Sequence, residues 1–168
     1  SMAAFNEVDA GADTIVQKTG ASGKALDDMQ NSMKNLASEI PTDFETAGSA
    51  IGEVNTRFGS TGKELENLSG KFIKFADLNG TDVSTSIDNV SSVLNSFGMD
   101  SSKAGGMLDV LNTVGQQTGL SMDQLANDIS SNAAQLKDMG FNATQSAQFL
   151  GNVEMSGMNT GVAMAAMK

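Results

Sequence analysis

Apolar residues recur at intervals of three and four along almost the whole chain, which is the spacing of one face of an α-helix. The most regular run alternates these two steps like a coiled-coil seam and comprises Phe44, Ala47, Ile51, Val54 and Phe58. No segment shows sustained period-two alternation rich in Val, Ile and Thr. The pattern therefore predicts an all-α fold.

Further stripes with the same spacing predict the other helices. They start at Phe5, Leu26, Leu65, Ile87, Ala104, Met122 and Ala147. The stripe from Met122 continues through Ile129 to Leu136 and predicts one uninterrupted helix.

A repeated glycine pattern predicts where many helices end. A glycine, an apolar residue and a capping residue follow one another at Gly98–Asp100, Gly119–Ser121, Gly140–Asn142 and Gly157–Asn159, and polar variants begin at Gly59 and Gly80. Glycine adopts the left-handed conformation just past a helix end, and Asp, Ser or Asn caps the next helix. The spacing predicts helices of about 14 to 17 residues joined by tight turns, each too short to be stable without its neighbours.

Capping signals mark several helix starts. Pro41 should end the helix before it. Capping boxes are predicted for Thr42 with Glu45, Thr61 with Glu64 and Ser121 with Gln124, and Asn142 with Gln145 is a weaker variant.

The character of the chain changes near residue 59. Residues 3–59 contain three longer seams with polar outer faces, and they predict an elongated helical arm or hairpin. Residues 60–168 contain shorter helices, tight turns and more Phe and Met, and they predict a compact helical core region. Thr160–Lys168 reads as a helix without a stop signal, so we expect this region to be a fragment truncated at its C-terminus.

Composition excludes most enzyme chemistry. The chain of 168 residues has no Cys, His, Trp or Tyr, so it lacks thiolate ligands, a cysteine nucleophile and the usual general base. Ten basic and 20 acidic side chains give a net charge of -10, which argues against direct nucleic-acid binding. No apolar stretch is long enough to span a membrane. We predict no enzyme activity and no catalytic, cofactor or metal site.

The acidic segments of the chain are candidates for chemistry. Asp27 and Asp28 are adjacent, and Asp123 and Asp128 are five residues apart, so neither pair shares a helix face well. Surface and capping roles are favoured for these four carboxylates. The segment Asp77–Asp82 resembles a calcium loop, but its glycine is at the fourth position rather than the sixth. A glycine turn followed by an Asp cap is favoured there.

Glycine and methionine clusters suggest further functions. Thr19–Lys24 misses the spacing of a phosphate-binding loop and is predicted to be a turn and helix start. Gly48, Gly52 and Gly105–Gly106 lie inside predicted helices, where they indicate either close helix approach or local flexibility. Four methionines lie near the C-terminus, and they are Met155, Met158, Met164 and Met167. We favour the interpretation that they fill a core whose covering helix is missing, and the alternative is that they form a surface for partners or lipid.

The order of several segments resembles the core region of phage tail tape measure proteins, the minor tail family typified by lactococcal siphophages. The segments are Val93–Gly98, Ala104, Leu108–Leu111, Thr118–Leu125 and Leu136–Phe141, with Lys18–Leu26 upstream. The resemblance covers about nine-tenths of the chain. It implies a structural phage or prophage protein that sets tail length and scaffolds the tail tube, with no catalytic residues in this region.

The resemblance also implies partners and a location. The partners would be the tail tube protein, tail assembly chaperones and tail-tip proteins, and the helical seams add self-association. The location would be the tail lumen of the virion, and the host cytoplasm during assembly. The alternative is a coiled-coil interaction or signalling module, such as a secreted helical hairpin or a chemoreceptor-like segment, which the seams of residues 5–58 fit. An enzyme accessory domain is a third interpretation.

Overall fold

A computed structural model describes residues 2–168, with side chains from Asn6 onward, so the predicted core position Phe5 lies outside the described side chains. Ten α-helices and one 3-10 helix make up the regular structure of these residues, and none of them forms a strand. The all-α prediction is therefore confirmed for the described chain. The α-helices are α1 (Met2–Thr19), α2 (Gly23–Glu39), α3 (Phe44–Phe58), α4 (Gly62–Asn79), α5 (Val83–Ser96), α6 (Ala104–Thr118), α7 (Met122–Ser131), α8 (Ala133–Asp138), α9 (Ala143–Met155) and α10 (Thr160–Ala166), and the 3-10 helix is Ser101–Lys103.

The apolar stripe from Met122 to Leu136 does not form one helix, so this prediction was wrong. The helix breaks at Asn132, whose backbone lies outside the helical region at φ -108° and ψ 11°. The Asn132 side-chain amide donates to the carbonyl of Asp128 at 2.8 Å. Asparagine bonds of this kind compete with regular helix hydrogen bonds, which explains why the apolar period continues while the helix does not.

The glycine turns are confirmed. All six predicted glycines have positive φ, and they are Gly59, Gly80, Gly98, Gly119, Gly140 and Gly157. The Gly140 turn shows the usual closure, because the backbone N–H of Phe141 donates to the carbonyl of Leu136 at 3.0 Å. The sequence therefore locates these helix ends correctly, since the signal is local.

The predicted capping boxes are only partly confirmed. Asn142 forms the complete reciprocal box, although it was the weakest candidate. Ser121 accepts a hydrogen bond from a backbone N–H at 3.1 Å. The cap of α3 is Asp43 rather than Thr42. The Asp43 carboxylate accepts a hydrogen bond from the backbone N–H of Thr46 at 2.6 Å. Thr61 precedes α4 as predicted, but its side chain makes no capping hydrogen bond.

Contacts divide the chain into two compact units, of which unit 1 ends at Ile87 and unit 2 runs from Asp88 to Lys168. In unit 1, α3 packs against α1, α2 and α4, and α4 also packs against α2. The contacts therefore do not separate α3 from α4 at the boundary predicted near Gly59. The division into an elongated helical arm or hairpin over residues 3–59 and a compact helical core region over residues 60–168 stays a prediction.

Backbones approach closely where α1 meets α3. A Cβ atom built on Gly48 would lie 2.5 Å from the carbonyl oxygen of Gly11, and one on Gly52 would lie 2.9 Å from Cβ of Lys18. The Thr56 hydroxyl donates to the carbonyl of Lys18 at 3.0 Å and so ties the same two helices together. Gly48 and Gly52 therefore permit close helix approach.

The opposite holds for Gly106, where an added Cβ would meet no atom within 4 Å. This glycine does not bring two helices together, although its sequence setting is similar. The difference lies in the neighbouring helix, which sequence spacing alone does not supply.

Unit 2 packs α9 against α6 and α7, with Leu111, Leu125 and Leu150 fully buried among them. Close approach recurs at Gly151, because a Cβ there would lie 2.6 Å from Cγ1 of Val114. The short helix α10 packs mainly against α9. This arrangement places the N-terminus of α10 beside charged residues of α7 and α9.

Candidate functional site

The adjacent carboxylates of α2 are surface residues. Asp27 and Asp28 are exposed, and Asp28 pairs with Lys24 one turn earlier at 2.9 Å. This hydrogen bond and the charge of Asp28 raise the pKa of Lys24. The predicted surface role is confirmed, and solvent screens an exposed pair of this kind, so the pair adds little to stability.

The segment that resembles a calcium loop is a capped turn. Gly80 adopts the left-handed conformation after α4, and the Asp82 carboxylate accepts from the backbone N–H of Thr85 at 3.0 Å. Asp82 therefore caps α5, as predicted. Among residues 2–168, no group of three or more Asp or Glu side chains is placed to hold a metal ion.

The segment Thr19–Lys24 is the turn between α1 and α2. Gly20 has φ 68° and Gly23 has φ 59°, and the Thr19 hydroxyl accepts from the backbone N–H of Ala21 at 3.0 Å. Lys24 faces Asp28 rather than an anion site. The turn prediction is therefore confirmed.

Asp123 and Asp128 have different partners. Asp123 is exposed and accepts a hydrogen bond from the side chain of Asn89. Asp128 is half-buried and interacts with Glu154 of α9 and with Thr160 at the start of α10. The sequence missed this second pair, because Asp128 and Glu154 come together only through helix packing.

The Asp128 carboxyl is electrostatically unusual. Burial raises its pKa, the nearby Glu154 carboxylate raises the pKa further, and a hydrogen bond with the Thr160 side chain lowers it. The Thr160 hydroxyl also donates to Oε1 of Glu154 at 3.2 Å. The hydroxyl of Thr160 therefore links the start of α10 to Glu154 of α9.

A second buried carboxylate, also missed by the sequence, joins α2 to α4. Glu66 is only 5% exposed and accepts from the side-chain amide of Asn35 at 2.9 Å and from the ammonium of Lys63. Burial by itself would raise the pKa of Glu66, but hydrogen bonds from Lys63, Asn35 and Ser32 outweigh burial and lower the pKa below its usual value. Hydrogen bonds from Asn35 of α2 and Lys63 of α4 therefore stabilise the charged form of Glu66 between the two helices.

The methionines near the C-terminus divide into two groups. Met164 is buried, which fits the core-filler interpretation for that residue. Met155, Met158 and Met167 are exposed by 62%, 50% and 39%, and Val162 beside them is 63% exposed. These four exposed side chains, which we call the α9–α10 apolar surface, could accommodate other apolar groups.

Two grooves border these features. One, of about 390 Å³, lies in unit 2 between the α7–α8 break and α10, and Gln135, Met164 and Lys168 contribute to its walls. The other, of about 330 Å³, lies in unit 1 between α2 and the start of α4 and includes Ser32 and Leu65. Each groove has one charged residue among apolar and neutral polar walls, Lys168 in the first and Asp28 in the second, and neither brings together an arrangement of catalytic groups.

Comparison with protein-family models matches residues 30–168 to the phage-related minor tail proteins, so the match starts within α2 and includes every later helix. The chain belongs to this family. Comparisons with curated proteins and with solved structures gave no match. Membership makes this minor tail protein a structural component of a phage tail, in a family that is typically non-enzymatic.

The family assignment indicates the partners and the location of the protein. A minor tail protein has tail-assembly partners, and its place is in the tail of the virion. Within residues 2–168, no helix is both long enough and apolar enough to cross a membrane. The match favours the phage interpretation over the coiled-coil signalling module and over the enzyme accessory domain.

Proposed function

We propose that this minor tail protein is part of a tape measure protein, which sets tail length and scaffolds assembly of the tail tube. The family match over residues 30–168 is the observation that carries the proposal. The order of the helical segments from Lys63 to Lys168 resembles that of tape measure proteins. This resemblance supports the more specific proposal that the tail protein determines tail length, that is, that it acts as a ruler.

A ruler needs length that is proportional to the number of residues, and helices supply it. An α-helix advances 1.5 Å per residue, so 168 helical residues in one line would span roughly 250 Å. The glycine turns are the joints at which compact units would have to open for the chain to reach such a length. We propose that the units found here extend or repack within the tube.

The proposed location is the lumen of the tail, reached from the host cytoplasm during assembly. The net charge of -10 supports this location, because an acidic surface does not adhere to DNA that passes through the same space. The proposed partners are the tube protein that polymerises around the ruler, the tail assembly chaperones, the tail-tip proteins and further copies of the chain.

The test is an in-frame deletion in the full-length gene, followed by measurement of tail lengths by electron microscopy. Removal of residues 88–168, which are unit 2, should shorten the tails by roughly 120 Å if the segment is helical in the tube. The matched control replaces residues 88–168 by a second copy of residues 3–83, which restores the original length. Tails of the control should regain wild-type length.

Two results would contradict the proposal. Deletion mutants with tails of unchanged length would exclude a ruler role for this segment. Tails that stay short in the length-matched control would show that unit 2 is needed for its own contacts rather than for its length.

A further inference from the structure

Helices α7 and α8 share one buried face, although the chain bends between them. The residues of this face follow one another in steps of three and four, and each is buried, and they are Met122, Leu125, Ile129, Ala133 and Leu136. In a straight helix these five positions would lie within about 80° of one another around the axis. A straight helix would therefore present the same apolar side chains to the core of unit 2.

A single residue separates the bent form from a straight one. Within residues 122–138, only Asn132 lies outside a helix, with φ -108° and ψ 11°. The hydrogen-bond spacing of an α-helix is kept on both sides of the bend. The backbone N–H of Asn132 donates to the carbonyl of Asp128 at 3.2 Å, and that of Leu136 donates to the carbonyl of Asn132 at 2.9 Å. The two forms therefore differ mainly in the backbone dihedral angles of Asn132.

The bend costs backbone hydrogen bonds at the start of α8. The first N–H groups of a helix have no partner within it and depend on a capping side chain. Asn132 precedes α8 without a side-chain capping bond, because its amide donates backwards to Asp128 at 2.8 Å. In a straight helix the N–H of Ala133 would donate to the carbonyl of Ile129, and the next two N–H groups would pair likewise. Other interactions must therefore offset this cost in the bent form.

Helix α10 supplies such an interaction. The side-chain amide of Gln135, three residues beyond the bend, donates to the carbonyl of Met164 in α10 at 2.8 Å. The position of α10 is set mainly by α9, against which it packs and to which the Thr160 hydroxyl bonds through Glu154 at 3.2 Å. If α8 changed direction, Gln135 would therefore move away from Met164. The groove of about 390 Å³ described above has its walls on these same two segments.

We propose that Asn132 is a joint with a bent state and a straight state, and that docked α10 holds the joint bent. In the straight state, the ten residues of α7, Asn132 and the six residues of α8 form one helix about 25 Å long. The bond from Gln135 to Met164 exists only in the bent state, and only an interaction that differs between two states shifts their equilibrium. Release of α10 therefore favours the straight helix, and straightening in turn loosens α10. This joint rests on contacts within unit 2 and not on the tape measure proposal.

The test is hydrogen–deuterium exchange of the 168-residue chain carrying Asn132→Ala. Alanine favours the helix and removes the side-chain amide that bonds to Asp128. The amides of residues 133–135 should exchange several-fold more slowly than in wild type, because they gain helical partners. The amides of Ala163 and Met164 should exchange several-fold faster, because α10 loses its bond with Gln135. Changes of opposite sign in the two segments distinguish the joint from a general change in stability.

The matched control is Asn127→Ala, the same substitution at an exposed position of α7 five residues earlier. Exchange in both segments should stay within about twofold of wild type, because this position lies inside the helix and away from the bend. Slower exchange of residues 133–135 in Asn132→Ala with unchanged exchange in α10 would overturn the coupling. Faster exchange in both segments would show that unit 2 requires the bend, and so would contradict a straight state.

A second variant covers the case in which Asn132→Ala fails to fold. Gln135→Met keeps the length and helix propensity of the side chain but has no hydrogen to donate, and it leaves Asn132 unchanged. Exchange of the α10 amides should rise several-fold, and exchange of Ala133 and Ala134 should fall. Unchanged α10 exchange would show that the bond to Met164 does not hold the helix. Faster α10 exchange without a change at Ala133 and Ala134 would show that α10 does not control the joint.

Discussion

The close approach of α1 and α3 predicts that Gly48→Ala destabilises unit 1. A Cβ at residue 48 would lie 2.5 Å from the carbonyl oxygen of Gly11 and 3.1 Å from its carbonyl carbon and Cα. Ordinary contact begins at 3.4 Å, so α1 would have to move by about 0.9 Å. Because the obstructing atoms are backbone, no side-chain rotation relieves the clash.

The magnitude follows from three opposing contributions. Overpacking of this kind costs about 1–3 kcal/mol. A shift of about 0.9 Å would also break the 3.0 Å hydrogen bond from Thr56 to the Lys18 carbonyl, which is worth about 1 kcal/mol. Alanine regains about 1 kcal/mol of helix propensity relative to glycine. The net loss of unfolding free energy is about 1–3 kcal/mol.

The matched control is Gly106→Ala in α6, where the added Cβ meets no atom within 4 Å. Only the helix-propensity gain remains at this position, so the variant should be stabilised by about 0.5–1 kcal/mol. Urea unfolding followed by far-ultraviolet circular dichroism measures both changes, since the chain has no Trp or Tyr for fluorescence. With a slope of about 1–2 kcal/mol/M, the Gly48→Ala midpoint should fall by roughly 0.5–3 M.

The signs of the stability changes in Gly48→Ala and Gly106→Ala show whether the backbone contact between α1 and α3 limits the packing of unit 1. If Gly48→Ala matched Gly106→Ala in stability, the backbone contact between α1 and α3 would not limit the packing of unit 1. If both variants were destabilised equally, a general requirement for glycine flexibility would explain the result better than the contact.

Two further predictions concern Glu66 and the helix caps. The pKa of Glu66 is lowered in the folded state, so the stability it provides is complete above its unfolded pKa and is lost as the pH falls through the lower folded value. Glu66→Gln should therefore cost about 1–2 kcal/mol at neutral pH, because the charged hydrogen bonds from Asn35 and Lys63 weaken, and urea midpoints at neutral and acidic pH should differ less than in wild type. Asn142→Ala should cost about 1 kcal/mol in thermal or urea unfolding through loss of the complete capping box, whereas Thr61→Ala should change stability by less than about 0.5 kcal/mol, because its side chain makes no capping bond. An equal cost for the two cap variants would contradict the assignment of the caps.

Local signals predicted the helices and their ends well. The left-handed glycines at 59, 80, 98, 119, 140 and 157 were identified from three-residue patterns, because the conformation depends mainly on the glycine and its immediate neighbours. The cap of α3 was misplaced by one residue, since Thr42 and Asp43 are both good capping residues and only the orientation of the side chain distinguishes them.

Features that depend on a second helix were not predictable from spacing. The sequence singled out Gly48, but its role became clear only when Gly11 was found opposite it, 37 residues earlier in the chain. The pairing of Asp128 with Glu154 likewise depends on how α7 and α9 pack. Periodicity identifies which face of a helix is buried, but it does not identify the residue that faces it.

The contact between Gly11 and Gly48 has a consequence for how far homologous sequences can diverge. At most core positions a lost methyl group can be offset by a gained one nearby, so many combinations of side chains fill the same volume. Where main-chain atoms themselves meet, there is no side-chain volume to exchange. We therefore expect homologous sequences to retain glycine at positions 11 and 48, whereas neighbouring positions on the two helices should vary.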